Sequence, residues 1–186
     1  MTHLPIRLEP FTEADFDRLI GWVPSSAFLL QWAGAAFDYP LTAEQLRRHL
    51  AAGAGDPPSQ RIYRAVDVAT GAVVGHAELG QIDRRHGLGR ACRILVGAPE
   101  ARGRGCGEAI MRALLAVAFD ELRLHRVELA VFDFNTAGIA CYEKVGFCRE
   151  GFLREARRHE EGYWNIVVMG ILEQDYRSTQ NPQSER

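Results

Sequence analysis

The chain has 186 residues, of which 47% are hydrophobic and 25% charged, a balance typical of a globular protein with one domain or at most two small ones. Its 22 basic and 24 acidic residues give a formal net charge of −2, which argues against a non-specific nucleic-acid binder and against a protein that binds anionic membranes. No apolar run reaches the roughly 20 residues that a membrane helix needs. The four cysteines form no CxxC pair, so we expect free thiols, no metal site and a reducing, cytoplasmic location.

The first part of the chain is predicted to hold one strand and two helices. Residues 6–11 favour a strand, and Thr12 is the expected N-cap of a helix with acidic residues in its first turn. The aromatic-rich segment 25–40 is expected to be irregular. A second helix is predicted from Thr42 to about residue 52, because Thr-Ala-Glu-Gln fits a capping box.

A strand-rich block with two further helices follows. Its apolar periodicity and turn residues predict a hairpin (61–68 and 72–82), a strand (89–96), a helix (108–122), a strand (127–131), a helix (136–145) and two closing strands (147–157 and 163–172). Neither an internal repeat nor a linker interrupts this pattern. We therefore predict one mixed α/β domain over residues 1–176 and a polar, frayed tail over residues 177–186.

A strand, a glycine-rich turn and a helix follow one another in the middle of the chain. Gly103, Gly105 and Gly107 allow backbone conformations that other residues avoid, and the helix start behind them offers unpaired N–H groups and a positive dipole end to an anion. Arg102 and Arg104 add positive charge, so the turn favours a phosphate or pyrophosphate. The Gly-Lys pair of a P-loop and the glycine spacing of a dinucleotide site are both missing, whereas R-x-x-G-x-G fits. A merely flexible turn is the alternative.

A second motif follows the next predicted strand and reads Asn135-Thr-Ala-Gly-Ile-Ala-Cys-Tyr-Glu-Lys-Val-Gly-Phe147. Together with R-x-x-G-x-G it resembles the GNAT superfamily of acetyl-CoA-dependent N-acetyltransferases, whose second motif is N-x-x-[AS]-x-x-x-Y-x-x-x-G-F. Gly138 stands at the usual Ala or Ser position, a departure that weakens a helix by up to about 1 kcal/mol. The order of elements from Ile6 to Leu172 is also similar to that fold. The resemblance implies a mixed, mostly antiparallel, twisted sheet flanked by helices, with acetyl-CoA as co-substrate.

The resemblance also implies which residues contact acetyl-CoA. Leu95 and Val96 would offer backbone groups to the pantetheine arm where the family's strands splay apart, and a backbone N–H near Val96 would stabilise the oxyanion. Asn135 would hydrogen-bond the pantetheine or an ordered water, with a turn-forming Asn as the alternative. The residues implied to wrap the pyrophosphate are Arg102, Gly103, Arg104, Gly105, Cys106 and Gly107.

Tyr142 matches the family's tyrosine near the thioester sulfur. Its phenol suits a general acid that protonates the departing thiolate, and an aromatic ring packed against Val145 and Phe147 is the alternative. An acetyl-cysteine on Cys106 or Cys141 is set aside, because thiols close to packed helices are usually inert. We therefore expect direct attack of the amine on the thioester.

The sequence leaves two candidates for the general base that removes a proton from the acceptor amine. Some GNAT enzymes that act on protein N-termini have a carboxylate where Ala130 stands, and Glu128 lies two residues earlier on the same strand face. Glu78 on the predicted hairpin is the other candidate, and each Glu is as readily a strand-edge charge. His76 is expected to share the face of Glu78 only if the strand bulges.

The acceptor is expected to be a primary amine, on either a small molecule or a peptide. An α-amine is about one-tenth neutral at pH 7 and a lysine-like amine only about once in 2,500, so a weak base suits an N-terminal amine better. The segment 146–169 resembles the ribosomal-protein N-terminal acetyltransferase branch, which commonly has Asp where Asn165 stands. Members of the superfamily often form homodimers. The alternative function is a non-catalytic acyl-CoA sensor, for which a proton donor such as Tyr142 has no use.

Overall fold

One seven-stranded sheet organises the protein in a computed structural model that describes residues 5–180. The strands are β1 (Ile6–Pro10), β2 (Arg61–Asp67), β3 (Val73–Asp83), β4 (Leu88–Val96), β5 (Arg126–Phe132), β6 (Cys148–His159) and β7 (Gly162–Leu172). Their order in the sheet is β1-β2-β3-β4-β5-β7-β6. Every neighbouring pair is antiparallel except β4 and β5, which are parallel, so the predicted mixed, mostly antiparallel sheet is confirmed.

Helices cover both faces of the sheet. They are α1 (Phe16–Gly21), α2 (Ser26–Ala33), α3 (Ala43–Ala52), α4 (Cys106–Ala116), α5 (Thr136–Lys144) and α6 (Glu173–Gln180). Side chains of α4 pack in one apolar cluster with Ala77 and Leu79 of β3. His76 and Glu78 alternate with those residues and so face the other side, where α1, α2 and α3 form a second cluster. No helix in the described range 5–180 is long and apolar enough to span a bilayer.

The segment 25–40, expected to be irregular, contains helix α2. Ser25 begins it as N-cap, because its hydroxyl accepts a hydrogen bond from the Phe28 N–H at 3.2 Å. Leu29 and Ala33, one helical turn apart, are both buried in the second cluster. The helical spacing of Leu29 and Ala33 was hard to recognise in the sequence because many aromatic residues surround them. The predicted helix at Thr42 is confirmed, and the Thr42 hydroxyl accepts from the Gln45 N–H at 3.3 Å.

The chain remains ordered beyond the predicted domain end at residue 176. Helix α6 runs to Gln180 and so includes the first four residues of the segment 177–186 that is expected to be a frayed tail. Tyr176 is buried and its hydroxyl donates to Asp120 at 2.8 Å, while Arg177 pairs with the same carboxylate. Polar composition alone misses this anchoring because one aromatic residue and one ion pair provide it. Residues 181–186 lie outside the described range.

Candidate active site

Strands β4 and β5 are paired at one end and separate at the other. Their parallel ladder joins Leu88–Arg90 to Arg126–Glu128 and goes no further. Beyond it the two strands diverge around a cleft of about 720 Å³ that residues 90–96 and 129–132 line. Leu95 and Val96 lie in its wall, at the place where the resemblance expects the strands to splay apart.

A β-bulge distorts β4 next to the cleft. Glu78 pairs with Cys92 and His76 pairs with Leu95, so two residues of β4 stand opposite one residue of β3. Arg93, one of the two, has a φ of 51°, a left-handed conformation that is uncommon for a residue with a side chain. The bulge turns the Arg93 guanidinium towards Glu78, on the face that carries α1, α2 and α3.

Glu78 is fully buried and held by two cationic or donor groups. Arg93 Nε donates to Glu78 Oε2 at 2.7 Å, and a second Arg93 nitrogen contacts Oε1. His49 Nε2 on α3 lies 2.9 Å from Oε2. Burial alone would raise the pKa of Glu78, but the hydrogen bonds from His49 and Arg93 outweigh it and lower the pKa to about 2. Glu78 is therefore a carboxylate at neutral pH and a poor proton acceptor.

His76 shares the face of Glu78 although β3 has no bulge between these two residues, so the expectation that a bulge is needed is wrong. Residues two apart on a regular strand point the same way, and the bulge lies in β4. Burial lowers the pKa of His76 to about 4, so the ring is neutral. Its Nδ1 donates to the Arg93 carbonyl at 3.0 Å and so supports the bulge.

The glycine-rich turn connects β4 to α4. Gly103 and Gly105 have φ values of +72° and +81°, and a Cβ at either would have no atom within 4 Å. Open space therefore lies against the backbone ahead of α4, of which Gly105 is the N-cap. Arg102 donates to the carbonyls of Val96 at 3.2 Å and Gly97 at 3.1 Å. Its side chain thus fastens the turn to the end of β4.

The other residues of the turn have different surroundings. Arg104 is exposed, and Cys106 is buried as the first residue of α4. Burial raises the pKa of the Cys106 thiol and also that of Cys141, which disfavours the reactive thiolate form. A Cβ at Gly107 would be 3.6 Å from Cys141 Sγ, so α4 and α5 pack closely there.

Asn135 caps helix α5 at the edge of the cleft. Its Oδ1 accepts from the Gly138 N–H at 3.1 Å, and its side chain also lines the cleft. A Cβ at Gly138 would lie 2.7 Å from Asn135 Nδ2. An alanine at this motif position would therefore press on the Asn135 side chain that caps the helix. Glycine weakens the helix slightly but leaves room for the cap.

Tyr142 projects from α5 into the cleft wall. Burial raises the pKa of its phenol, with a smaller contribution from Cys141, so the hydroxyl keeps its proton at neutral pH. The ring also packs near Phe147, with centroids 6.1 Å apart. In the described part of the chain no group hydrogen-bonds to the Tyr142 hydroxyl, which leaves its proton available to a ligand.

Glu128 does not join the other predicted site residues. It lies at the closed end of the strand pair, 4.0 Å from Arg90 and 3.8 Å from Arg126. It is absent from the described residues that line the cleft. The structure thus brings Glu78 and Tyr142 into one cleft and places Glu128 in a surface charge network.

Two residues of the site escaped the sequence reasoning. His49 lies between Leu46 and Leu50 on the apolar side of α3, and a histidine in an apolar helical stripe was a usable signal. Arg93 gave no such signal, because regular alternation along β4 would place it on the opposite face from Cys92. Within residues 5–180, no group of three or more His, Cys, Asp or Glu residues could hold a metal ion.

The Acetyltransferase (GNAT) family matches residues 26–147, and this chain belongs to that family. Spermidine N(1)-acetyltransferase from Vibrio cholerae serotype O1 is 31% identical over 111 residues, which cover 60% of this chain and 63% of the relative. Aminoglycoside N(6')-acetyltransferase type 1 from Klebsiella pneumoniae is 24% identical over 156 residues, covering 78% and 75%. The chain spans about three fifths of the length of the first curated relatives that it matches.

A solved structure supports the same fold. The spermidine N-acetyltransferase from Vibrio cholerae in complex with CoA and spermine superposes with a TM-score of 0.79 at 24% identity, covering 92% of this chain and 97% of that one. The family expectation is thus confirmed. These relatives are spermidine and aminoglycoside enzymes, so they do not single out the ribosomal-protein branch.

Proposed function

We propose that the protein transfers the acetyl group of acetyl-CoA to a primary amine by direct attack. The observation that carries this proposal is the cleft between the diverging strands, which Tyr142 lines and which reaches Val96, the residue whose carbonyl Arg102 of the open glycine turn contacts. The open glycine turn is a feature that a non-catalytic binding module would also need. A protonated phenol without a described partner in the same cleft additionally suits a proton donor.

The residues present fit acetyl-CoA. Positive φ values at Gly103 and Gly105 leave open space against the backbone N–H groups and the start of α4, where a pyrophosphate is stabilised by hydrogen bonds and by the helix dipole. Arg104 is exposed beside it and adds positive charge, whereas Arg102 shapes the turn. Asn135 and the edge of β4 at Leu95 and Val96, which has no partner in β5, would hold the pantetheine arm.

Bound there, acetyl-CoA supplies an activated acyl group. A backbone N–H near Val96, on the edge of β4 that has no partner in β5, would stabilise negative charge on the carbonyl oxygen. Tyr142 donates its proton to the departing sulfur, and its raised pKa ensures that the proton is present at neutral pH.

The charges of the cleft favour an acceptor with one amine and a neutral or anionic remainder. Among the described residues that line it, Arg90, Arg93 and Arg157 are basic and Glu78 is the acidic one. Glu78 is already bound to Arg93. A polyamine would therefore meet no uncompensated carboxylate, although two relatives are named for spermidine. Trp32 Nε1, buried and unpartnered among the described residues, offers a further donor to such an acceptor.

The extent of the domain, the location, the oligomeric state and the finer acceptor class are further proposals. Residues up to Gln180 would form one domain, because α6 is anchored to Asp120. A cytoplasmic location is consistent with four free cysteines in the structure. A homodimer, a peptide acceptor and the ribosomal-protein branch stay predictions from the family resemblance.

Thermal unfolding with and without acetyl-CoA tests the cofactor site. Gly103→Asp introduces negative charge and a side chain into the turn, and Gly71→Asp is its matched control. Gly71 has a φ of +73°, close to the +72° of Gly103, and a Cβ at either position meets no atom within 4 Å. The two variants therefore carry similar backbone strain, and only Gly103→Asp repels a pyrophosphate.

At one hundred times its dissociation constant, acetyl-CoA should stabilise the parent by about 2.7 kcal/mol, or roughly 5–10 °C. Gly71→Asp should keep this shift and Gly103→Asp should lose most of it. No shift in the parent at millimolar acetyl-CoA would overturn the proposal. A shift without release of free CoA thiol on any primary amine would identify a sensor instead.

A further inference from the structure

We propose that His49 is the general base of the acetyl transfer, oriented by Glu78, which in turn is held by Arg93. This inference rests on the proposed acetyl transfer and goes beyond it, because it assigns proton removal to a residue that the two family motifs do not contain. His49 lines the same cleft as Tyr142, and 19% of its side chain is exposed.

The contact with Glu78 fixes which ring nitrogen of His49 carries the proton. A carboxylate only accepts hydrogen bonds, so the 2.9 Å contact requires Nε2 to be the donor. Neutral His49 therefore has its lone pair on Nδ1. In the described part of the chain nothing hydrogen-bonds to that nitrogen, so it is available to an amine in the cleft.

The charge of the Glu78 carboxylate is balanced without His49. Arg93 already balances the charge of Glu78 through two contacts, so His49 is not required as a permanent counter-ion. The other titratable groups nearby are His76, which is neutral because burial lowers its pKa to about 4, and Cys92, whose thiol stays protonated because burial raises its pKa. Phe37 packs edge-on against the His49 ring at 5.1 Å and restrains it without offering a charge. The ring is thus oriented and open on one nitrogen.

Glu78 cannot take this role itself. Its side chain has no exposed surface, and both oxygens are occupied by Arg93 or His49. The arrangement assigns Glu78 and Arg93 to positioning. It leaves His49 as the one group of this cluster with both exposure and a free lone pair.

The proton balance of the step is simple. His49 Nδ1 takes one proton from the ammonium form of the acceptor, and the imidazolium faces the Glu78 carboxylate. The amine nitrogen then bonds to the acetyl carbon as the carbon–sulfur bond breaks, and Tyr142 gives its proton to sulfur. The second nitrogen proton returns through solvent to Tyr142. His49 releases its own proton to solvent, so one proton is liberated per turnover.

His49→Gln separates the basic role from a structural one. The glutamine amide can still donate to Glu78, but it has no group that accepts a proton near neutral pH. His86→Gln is the control, because His86 also contacts a carboxylate, that of Asp83 at 2.8 Å, on the surface and outside the cleft. Thermal unfolding of each variant, with and without acetyl-CoA, verifies folding and cofactor binding.

With any amine that the parent acetylates, His49→Gln should lower kcat/KM at pH 7 by about 100-fold, within the range for loss of a general base. The loss should shrink as pH rises, because the amine then loses its proton without help. His49→Ala should regain activity on addition of imidazole, which also tests the proposal if His49→Gln is unstable. His86→Gln should behave as the parent does.

Two results would overturn the assignment of His49. One is a His49→Gln kcat/KM within threefold of the parent at pH 7. The other is a loss of kcat/KM in His49→Gln that is equal at every pH, together with no response of His49→Ala to imidazole. These two observations together would describe a structural residue. A parent that binds no acetyl-CoA and acetylates no amine would instead refute the proposed function, which makes the two failures distinguishable.

Discussion

Replacing Glu78 with Gln should destabilise the protein strongly, although the change removes only a charge. The amide keeps the shape of the side chain but leaves the Arg93 guanidinium, only 14% exposed, without its anion. A buried ion pair with one partner removed typically costs about 3–5 kcal/mol. Glutamine also has one acceptor oxygen instead of two, so His49 and Arg93 would compete for it.

The pKa of Glu78 gives a second estimate of the stability that Glu78→Gln removes. Its native pKa is about 2 against an ordinary value of 4.5, and each pH unit is worth about 1.4 kcal/mol. Ionised Glu78 therefore contributes about 3 kcal/mol at pH 7. Because the unfolded chain binds this proton more readily, the contribution is complete above pH 4.5 and is lost as pH falls towards 2.

Denaturant unfolding of parent and Glu78→Gln at pH 7 and at steps down to pH 3 measures both effects. At pH 7 we expect the free energy of unfolding of Glu78→Gln to be about 3 kcal/mol below that of the parent, or roughly 10 °C in Tm for a domain of this size. This difference between the two proteins should narrow below pH 4.5. Glu121→Gln is the control, because Glu121 pairs with Arg61 at 3.0 Å while 60% exposed and should cost less than about 1 kcal/mol. A loss below 1 kcal/mol for Glu78→Gln, or a difference that stays constant with pH, would refute the reasoning.

Two other predictions concern the reaction. Tyr142→Phe should lower kcat by about 100-fold or more. The rise in Tm caused by acetyl-CoA should be unchanged, because the hydroxyl has no hydrogen-bond partner among the described residues. An unaltered kcat in steady-state assays would remove Tyr142 from the mechanism. Initial rates of CoA release should be higher with a neutral-tailed or acidic peptide amine than with spermidine, because arginines at positions 90 and 157 line the cleft. A clear preference for spermidine would contradict the proposed acceptor class.

The order of elements and the cofactor end of the cleft follow from sequence, because local chemistry determines them. A glycine-rich turn between a strand and a helix requires positive φ, and Gly103 and Gly105 have it. Asn135 before a short helix predicts a cap, and its Oδ1 accepts from the Gly138 N–H. Each of these signals lies within a few residues of the feature that it predicts.

The acceptor side could not be predicted in the same way, because its contacts join distant parts of the chain. His49 on α3 reaches Glu78 on β3, and Arg93 reaches the same carboxylate from β4. The Arg93 contact depends on a bulge that alternation of residue types does not reveal. Glu128 also depends on residues distant in sequence, because it lies beside Arg90 and Arg126 and does not line the cleft.

The bulge at Arg93 links the opening of the cleft to its chemistry. It lies on the part of β4 that has separated from β5, where no ladder with that strand restrains the backbone. The left-handed residue costs roughly 1–3 kcal/mol, and the ion pair with Glu78 offsets a cost of that size. The same ion pair keeps Glu78 ionised and so fixes the donor nitrogen of His49. A variant that regularised β4 would therefore lose the orientation of the base even with every side chain of the cluster still present.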